Sequence, residues 1–319
     1  MLRVTDLKTY FYTDAGCAKA VDGVSFSVQK GKVLGIVGES GCGKSITSLS
    51  IMGLLDPVTA RVEGGSILFH DQDLLKLSPA QMRKIRGDRI SMIFQEPMTS
   101  LNPVLTVGFQ IEEALRLHRG LSKAAARARA IELLKMVGIP EPAKRIDEYP
   151  HQLSGGMRQR VMIAMALSCD PELLIADEPT TALDVTIQAQ ILALLTELRE
   201  RLGMAIIIIS HDLGVIAEMA DDVMVMYAGQ VVERAPAAQL LEHPMHPYTV
   251  GLMNSVPDIA SPVKRLQALE GLVPSLYNMP QGCRFAPRCN QCRESCKNGE
   301  IPLSTLADGR QVRCVLYAE

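Results

Sequence analysis

Long apolar runs and tryptophan are both missing from this sequence. Apolar runs such as residues 204–209 have the length of a β-strand, whereas a helix that crosses a bilayer needs about 20 apolar residues. An acidic residue, Asp6, interrupts the N-terminal segment and no apolar stretch follows it, which argues against a signal peptide. We therefore expect a soluble, cytoplasmic protein that needs a partner if it acts at a membrane.

An excess of charge of either sign is also missing. The 33 lysines and arginines nearly balance the 35 acidic residues, so the net charge is −2, and no long basic run is present. A nucleic-acid partner is therefore not expected. The length of 319 residues and the hydrophobic content of 47% allow a large core, in one large domain or two smaller ones.

Cysteine, by contrast, is frequent near the C-terminus. Five of the 8 cysteines fall within the last 40 residues, and in a reducing compartment such a cluster suggests a metal site rather than disulfides. The chain becomes rich in proline over the same region, at Pro236, Pro244, Pro247, Pro257, Pro262, Pro274, Pro280 and Pro287. We expect a separate, loop-rich extension over residues 236–319.

A glycine-rich segment is the strongest functional signal. It matches the phosphate-binding pattern G-x-x-x-x-G-K-[ST] at every position and comprises Gly38, Glu39, Ser40, Gly41, Cys42, Gly43, Lys44 and Ser45. Residues 33–37 before it are predicted as a buried strand and residues 46–54 after it as a helix, as such a loop requires. Backbone N–H groups would bind phosphate oxygens, Lys44 would reach the β- and γ-phosphates, and Ser45 would hold Mg²⁺.

Strand and helix patterns divide the rest of the chain. Residues 1–95 alternate strand-like runs with turns. Residues 96–165 are predicted to be helical, with apolar residues at helical spacing over residues 107–119 and 122–137. Residues 166–235 return to buried strands separated by helices, which predicts a parallel sheet with a nucleotide at its carboxyl edge. We predict one nucleotide-binding domain over residues 1–235, with a helical subdomain at about residues 96–165.

Two acidic residues end the apolar run of residues 173–176. Asp177 would bind Mg²⁺ directly or through water. Glu178 is placed to polarise the water that attacks the γ-phosphate. An apolar strand that ends in two acids is common by itself, and the upstream phosphate loop gives this one its functional interpretation.

The order and spacing of these segments resemble the ATP-binding subunits of ABC transporters. In that family, residues 153–157 match the signature motif, within which Ser154, Gly155 and Gly156 open a helix; alone, the tripeptide reads equally well as an N-cap. Three further positions match family motifs. Gln95 matches the Q-loop glutamine, which contacts magnesium and water and senses the membrane partner. Asp184 matches the D-loop, and His211 matches the switch histidine, which contacts the γ-phosphate.

The resemblance also implies an aromatic residue that stacks on adenine. Phe11 fits best by its spacing, with Tyr12 and Tyr10 as alternatives. Cys42 departs from the serine or glycine that is usual at its place in the loop. A thiol near the phosphates predicts sensitivity to bulky alkylating reagents.

The fold implied by the resemblance is α/β, a RecA-like P-loop NTPase domain with antiparallel β and helical subdomains. The ligands implied are ATP and Mg²⁺. In the family, the signature of one subunit closes over the ATP at the phosphate loop of the other. This chain has one copy of each motif, so it must pair with itself or with a similar subunit. The helical region would rest on a membrane subunit and transmit motion.

The C-terminal extension narrows the resemblance to the dipeptide/oligopeptide permease ATPases, and to the dipeptide subunit more than to a generic importer. The residues that carry it are His246-Pro247-Tyr248-Thr249, Gly271-Leu272-Val273-Pro274, Gly282-Cys283-Arg284-Phe285-Ala286-Pro287-Arg288-Cys289 and Arg313-Cys314. The subfamily implies two membrane permease subunits, a second related ATP-binding subunit and an extracytoplasmic peptide-binding protein. It places the chain peripherally on the cytoplasmic face of the membrane.

Four cysteines, Cys283, Cys289, Cys296 and Cys314, match the subfamily spacing. In some members these positions hold a 4Fe–4S cluster. Zinc and free thiols are the alternatives, and Cys292 adds a competing pair with Cys289 that suits zinc. A structural role is expected, because a small segment with little core gains stability from a metal.

Other functions share parts of this pattern. An importer of nickel or another small solute would have a similar ATPase. An ABC-type ATPase in DNA repair, chromosome structure or translation is disfavoured by the single module, the near-neutral charge and the permease-type extension. A regulatory metal protein with vestigial hydrolysis is disfavoured by the presence of Glu178 and His211.

Overall fold

The computed structural model describes residues 1–95, 100–181, 183–255 and 269–317. Residues 96–99 and Ala182, which belong to the predicted Q-loop and D-loop segments, lie outside the described residues. The strands are β1 Leu2–Thr13, β2 Gly16–Val28, β3 Val33–Val37, β4 Ala60–Phe69, β5 Gln72–Asp73, β6 Ile90–Ile93, β7 Leu173–Asp177, β8 Ala205–Ile209, β9 Asp222–Tyr227, β10 Gln230–Pro236, β11 Ser304–Thr305 and β12 Gln311–Val312.

Helices connect these strands. The α-helices are α1 Lys44–Met52, α2 Pro79–Arg83, α3 Val107–Arg119, α4 Lys123–Met136, α5 Pro142–Arg145, α6 Gly155–Ala166, α7 Val185–Leu202, α8 Leu213–Met219, α9 Ala237–Glu242 and α10 Pro247–Asn254. Short 3₁₀ helices span Leu74–Lys76, Pro150–Gln152, Ala286–Arg288 and Glu294–Cys296. Among the described residues, no helix combines the length and apolar character that crossing a membrane requires.

The chain forms two compact units. The first comprises Met1–Val28, Val33–Leu75 and Ser210–Glu319. It contains an antiparallel sheet of order β2-β1-β4-β5 and strands in the order β11-β12-β10-β9-β3. In the latter group β3 and β9 are parallel, whereas β9 with β10 and β10 with β12 are antiparallel. The domain boundary predicted at residue 235 stays a prediction.

Burial along the strands of the first unit follows the sequence pattern. In β1, Leu2 and Val4 are buried and alternate with exposed residues. Asp6 has a φ of 46°, and the pairing of β1 with β2 and β4 shifts register around it. The bulge returns Leu7 and Thr9 to the buried side of the sheet. β3 is buried at every residue, as its uniformly apolar sequence predicts for a parallel strand.

The second unit comprises Gln29–Lys32 and Lys76–Ile209. Its strands are parallel in the order β8-β7-β6. Helices α3, α4 and α6 pack against one another. Ala126 and Ala130 of α4 are fully buried, and their small side chains allow close approach between helices. The helical spacing in residues 107–119 and 122–137 is confirmed by α3 and α4.

The C-terminal extension builds on an aromatic cluster in the first unit. The Phe285 ring lies 5.2 Å from that of Tyr227 and 5.4 Å from that of Tyr248, measured between centroids. Arg284 donates to the carbonyl of Ala228 and to the carboxylate of Asp22. These contacts attach the cysteine-bearing segment to β9 and β2, which supply a core that the loop-rich segment lacks.

Candidate functional site

The glycine-rich loop joins β3 to α1, as predicted. Gly38, Gly41 and Gly43 have φ values of 151°, 78° and 104°, which favour glycine. A Cβ atom at Gly38 would lie 2.2 Å from the carbonyl oxygen of Met226, and one at Gly43 would lie 2.3 Å from that of Ala20. The backbone therefore takes a wrapped course that other residues would obstruct. Such a loop at a helix N-terminus is suited to bind phosphate.

Lys44 and Ser45 occupy the first turn of α1. The Lys44 ammonium donates to the carbonyl of Gly38 at 2.7 Å and to that of Glu39 at 3.1 Å. The lysine is 6% exposed, so its charge is held inside the loop by two backbone oxygens. Ser45 is half-buried beside it, while Ser40 and Gly41 are exposed at the loop's outer edge.

Cys42 is buried beneath the loop and is only 1% exposed. Burial raises the pKa of its thiol above the ordinary value, against the lowering effect of the nearby Lys44 charge. Alkylating reagents attack the thiolate, so this thiol is protected both sterically and chemically. The burial of Cys42 therefore argues against the predicted sensitivity to bulky alkylating reagents.

Glu39 is held from the C-terminal side of the chain, which the sequence did not indicate. Its backbone N–H donates to the hydroxyl of Tyr248 at 2.8 Å. Its carboxylate accepts two hydrogen bonds from the guanidinium of Arg288, at 2.6 and 3.0 Å. Position 288 lies 249 residues away in sequence, and no local pattern couples it to the loop.

The aromatic residues of β1 face in different directions. The Tyr10 hydroxyl donates to Asp22 at 2.6 Å, and the Tyr12 hydroxyl donates to Glu63 at 2.7 Å. Phe11 shares the parity of Thr9, whose hydroxyl lies 2.9 Å from that of Ser50 in α1. Phe11 is thus on the side of β1 that faces the helix after the phosphate loop, and the two tyrosines are engaged on the other side.

In the second unit, Gln95 and Glu178 come together. The Gln95 amide donates to the Glu178 carboxylate at 3.0 Å, and the Thr181 hydroxyl donates to the same oxygen at 2.9 Å. Glu178 has a φ of 50°, a left-handed conformation that is costly for a non-glycine residue. Its backbone N–H donates to the carbonyl of Ile209 at 2.9 Å. Asp177 ends β7 and is 4% exposed.

The other predicted residues of the second unit lie at helix N-termini. Ser154 caps α6 by accepting from the backbone N–H of Met157 at 3.3 Å, and Gly155 and Gly156 form the first turn. Asp184 caps α7 by accepting from the backbone N–H of Ile187 at 3.0 Å. Ser154 and Asp184 are both exposed. The N-cap interpretation of Ser154 is therefore correct, and it leaves the exposed helix N-terminus able to accept an anion.

His211 follows β8 and belongs to the first unit, where it is exposed. The adjacent Ser210 and Asp212 fix its backbone, because the Ser210 N–H donates to the carbonyl of Ile36 at 3.2 Å and the Asp212 N–H donates to the Ser210 hydroxyl at 2.9 Å. The first unit thus holds the phosphate loop, Phe11 and His211, and the second holds Gln95, Asp177, Glu178, Ser154 and Asp184.

Four C-terminal thiols are electrostatic neighbours. Burial raises the pKa of Cys283 to about 11, and the charges of Cys296, Cys314 and Cys289 contribute in the same direction. Cys292 also raises the pKa of Cys289, and Cys296 raises that of Cys292. Within the described part of the chain, no three histidine, cysteine or acidic side chains converge closely enough to hold a metal ion as they stand.

Two family models match this chain. The model described as "ABC transporter" matches residues 21–181. The model described as "Oligopeptide/dipeptide transporter, C-terminal region" matches residues 232–296. The first match contains the phosphate loop and the acidic strand, and the second contains Tyr248, Arg288 and three of the four predicted cluster cysteines.

Curated relatives match over nearly the whole chain. The oligopeptide transport ATP-binding protein AppD of Bacillus subtilis is 54% identical over 319 residues, which cover 100% of this chain and 97% of the relative. The dipeptide transport ATP-binding protein DppD of Escherichia coli is 53% identical over 314 residues, which cover 98% of this chain and 96% of the relative.

Solved structures match the larger part of the chain. The ATP-binding cassette MJ0796, in a dimeric post-hydrolysis state bound to ADP and Pi, has a TM-score of 0.67 at 31% identity and covers 74% of this chain and 99% of its own. CbiO1 from Clostridium perfringens, part of the ABC transporter complex cbiONQ, has a TM-score of 0.64 at 29% identity, over 76% of this chain and 90% of its own. The predicted fold class is confirmed by these likenesses.

Proposed function

The chain belongs to the ABC transporter ATP-binding family, and on that premise we propose that it drives the uptake of dipeptides or oligopeptides through a membrane importer. It is an ATPase of this family. The observation that carries the peptide assignment is full-length identity, 54% and 53%, to two proteins named for oligopeptide and dipeptide transport. The match of a peptide-transporter model to residues 232–296 supports the same solute class.

ATP binding is assigned to the phosphate loop and β1. The wrapped backbone around Gly38, Gly41 and Gly43 would direct N–H groups at the phosphates. Lys44, held by two loop carbonyls, would transfer its hydrogen bonds to the β- and γ-phosphate oxygens. Phe11 would stack on adenine, since the hydroxyls of Tyr10 and Tyr12 are held by carboxylates on the other side of β1.

Hydrolysis is assigned to Glu178, with Gln95 and His211 in supporting roles. Glu178 would accept a proton from the attacking water, and its hydrogen bonds to Gln95 and Thr181 fix the carboxylate before ATP arrives. His211 would contact the γ-phosphate. Ser45, Gln95 and Asp177 offer a hydroxyl, an amide and a carboxylate oxygen, which are the hard donors that suit Mg²⁺. When bound, Mg²⁺ supplies charge neutralisation at the phosphates.

A second, related ATP-binding subunit is the expected partner. Ser154 and Asp184 are exposed at helix N-termini, and the adjacent Val185 is 83% exposed. An exposed valine beside an exposed anion-binding helix suits a surface that becomes covered on pairing. In the pair, Ser154, Gly155 and Gly156 would bind the ATP held by the phosphate loop of the other subunit.

Membrane permease subunits are the partners expected for the helical part of the second unit. Val104 and Phe109, near the start of α3, are 75% and 49% exposed. These exposed apolar side chains suit contact with a permease subunit. The chain would lie peripherally on the cytoplasmic face of the membrane. An extracytoplasmic binding protein would deliver the peptide to the permease subunits.

The C-terminal cysteines are proposed to hold a 4Fe–4S cluster through Cys283, Cys289, Cys296 and Cys314. Their mutual electrostatic influence supports this set. Four thiolates suit iron–sulfur or zinc, and binding would draw together side chains that do not yet converge. Metal analysis of anaerobically purified protein tests the proposal. Iron and sulfide are expected, and zinc alone or no metal would contradict it.

Uptake in cells tests the transport function. Cells that lack the gene should lose uptake of a labelled dipeptide and keep uptake of labelled nickel. Dipeptide uptake should be restored by the wild-type gene and by Lys84→Ala, a variant of an exposed lysine. It should not be restored by Lys44→Ala. Loss of nickel uptake alone would assign the chain to a metal importer. If neither uptake changes, the peptide proposal is wrong.

A further inference from the structure

Glu39 places a carboxylate in the loop that is proposed to receive the triphosphate of ATP. Its side chain is about a quarter exposed, at 27%. A negative charge next to a site for a polyanion repels the ligand, and the repulsion is stronger where the surroundings are partly buried. The loop sequence alone therefore contains an unfavourable charge, which a neighbouring cation has to neutralise.

Arg288 provides that cation from the C-terminal extension. Its Nη1 and Nη2 atoms contact the two carboxylate oxygens of Glu39 at 2.6 and 3.0 Å, the parallel geometry that makes guanidinium–carboxylate pairs strong. The Arg288 side chain is only 4% exposed, so solvent screens the pair weakly. The hydrogen bond with Glu39 is the main cause that raises the pKa of Arg288 above its ordinary value.

The extension fixes Arg288 independently of the loop. Arg288 Nε donates to the carbonyl of Glu270 at 3.0 Å, and Nη2 donates to that of Leu269 at 3.2 Å. The guanidinium also lies 5.9 Å from the ring centroid of Phe285. The 3₁₀ helix Ala286–Arg288 begins just after Cys283 and ends just before Cys289. The arginine is thus pre-positioned by the cysteine-bearing turn.

We propose that Arg288 is a positioning residue for ATP binding: it neutralises Glu39 and holds the phosphate loop in its binding conformation. The proposal rests on the proposed ATP site and adds to it a residue from the extension. Glu39 also links the pair to the loop lysine, because its carbonyl accepts from the Lys44 ammonium at 3.1 Å. Tyr248, which accepts from the Glu39 N–H at 2.8 Å, holds the same residue from α10.

The test is equilibrium binding of Mg-ATP to the purified full-length chain, with KM and kcat measured on the assembled transporter. Arg288→Ala should weaken ATP binding by about tenfold and raise KM with little change in kcat, because the lost effect is on binding. Arg288→Lys keeps the charge but loses the two-pronged contact and should give a smaller loss, roughly threefold. The loss in Arg288→Ala should shrink at high salt, which screens the Glu39 charge that this variant leaves unpaired.

Removal of the carboxylate separates charge neutralisation from a general structural role. In a Glu39→Gln background, Arg288→Ala should cost at most about twofold in affinity, because no carboxylate remains to repel ATP. Arg310→Ala is the matched control, since Arg310 lies in the same extension but pairs with Asp308 at 2.7 Å and donates to the carbonyl of His243 at 3.1 Å. Thermal unfolding of each variant reports whether the extension remains folded.

Each outcome bears on the proposal. If Arg288→Ala and Arg288→Lys are folded and bind ATP like the wild type, the proposal is wrong. It is also wrong if the loss of affinity is the same in the Glu39→Gln background, which would indicate a structural effect. If Arg288→Ala does not fold, the Mg-ATP affinity of Arg288→Lys tests the proposal in its place. Failure of the wild-type chain itself to bind Mg-ATP would instead contradict the proposed function.

Discussion

Glu178 is the residue on which the proposed hydrolytic chemistry depends. It adopts a left-handed backbone at φ 50° directly after β7, where Asp177 remains in the strand. Strain of this kind costs roughly 1–3 kcal/mol and persists only where the surroundings enforce it. Here the enforcing contacts are the hydrogen bonds to Gln95, Thr181 and the carbonyl of Ile209. These contacts hold the carboxylate in a fixed position, as the proposed role of proton acceptor requires.

Substitution of Glu178 by glutamine should separate ATP binding from hydrolysis. The amide keeps the shape of the side chain and still accepts from Thr181, but it cannot take the proton of the attacking water. We expect ATPase activity to fall at least about 100-fold while Mg-ATP is retained.

The control for this variant is Glu197→Gln on the exposed face of α7. It should hydrolyse ATP at the wild-type rate. Turnover of Glu178→Gln at the wild-type rate, in a phosphate-release assay, would show that the base has been assigned to the wrong residue.

At the scale of elements, a helix N-terminus can serve stability alone or stability together with ligand binding. Ser122 and Ser154 cap α4 and α6 with the same geometry, each accepting a backbone N–H at 3.3 Å. Both serines are exposed. Only Ser154 is followed by two glycines, and only Ser154 is proposed to contact ATP. The two caps therefore form a matched pair in which stability and function separate.

Alanine at either serine should cost about 1 kcal/mol of stability through loss of the cap. Ser154→Ala should also reduce the ATPase activity of the assembled transporter, by roughly tenfold, because a direct contact with the phosphates is lost. Ser122→Ala should keep normal activity. Equal ATPase activity in the two variants would remove Ser154 from the ATP site and leave it a helix cap.

Helix α10 has a buried cap that responds to acid. His246 is 1% exposed, and its Nδ1 accepts from the backbone N–H of Tyr248 at 3.0 Å, which requires the neutral ring. Burial lowers the pKa of His246 from 6.5 to about 4. Between these values the unfolded chain binds more protons than the folded chain, so the contribution to stability is complete above pH 6.5 and is lost as the pH falls towards 4.

The variant His246→Asn tests this contribution, because its amide oxygen accepts the same hydrogen bond without titrating. Glu233 accepts from the His246 backbone N–H at 2.8 Å, and burial raises the pKa of its carboxyl. Its contribution to the pH dependence of stability is therefore opposite in sign to that of His246. Because Glu233 is present in both proteins, this contribution cancels in the difference between the wild type and the variant. Urea unfolding should show the wild type losing about 2 kcal/mol relative to the variant between pH 7.5 and 5. A pH-independent difference would contradict the account.

At the scale of the whole molecule, the sequence predicted most of the elements and loops that depend on local residue patterns. The phosphate loop, β7 with Asp177, and helices α3 and α4 follow from residue spacing and composition. The contacts of Glu39 with Arg288 and Tyr248 could not be predicted, because they join segments more than 200 residues apart. The burial of Cys42 was missed for a related reason, since the Cys42 thiol and Met226, which is distant in sequence, both lie close to Gly38.

Coupled transport is the measurement that tests the central claim most directly. The chain, its second ATP-binding subunit and the permease subunits would be reconstituted in vesicles, with the peptide-binding protein on the other side. Labelled dipeptide uptake and phosphate release would be counted together. We predict that both depend on ATP, that both are lost in Lys44→Ala, and that Lys84→Ala supports both. ATP hydrolysis without dipeptide uptake, under conditions where another solute is imported, would contradict the account.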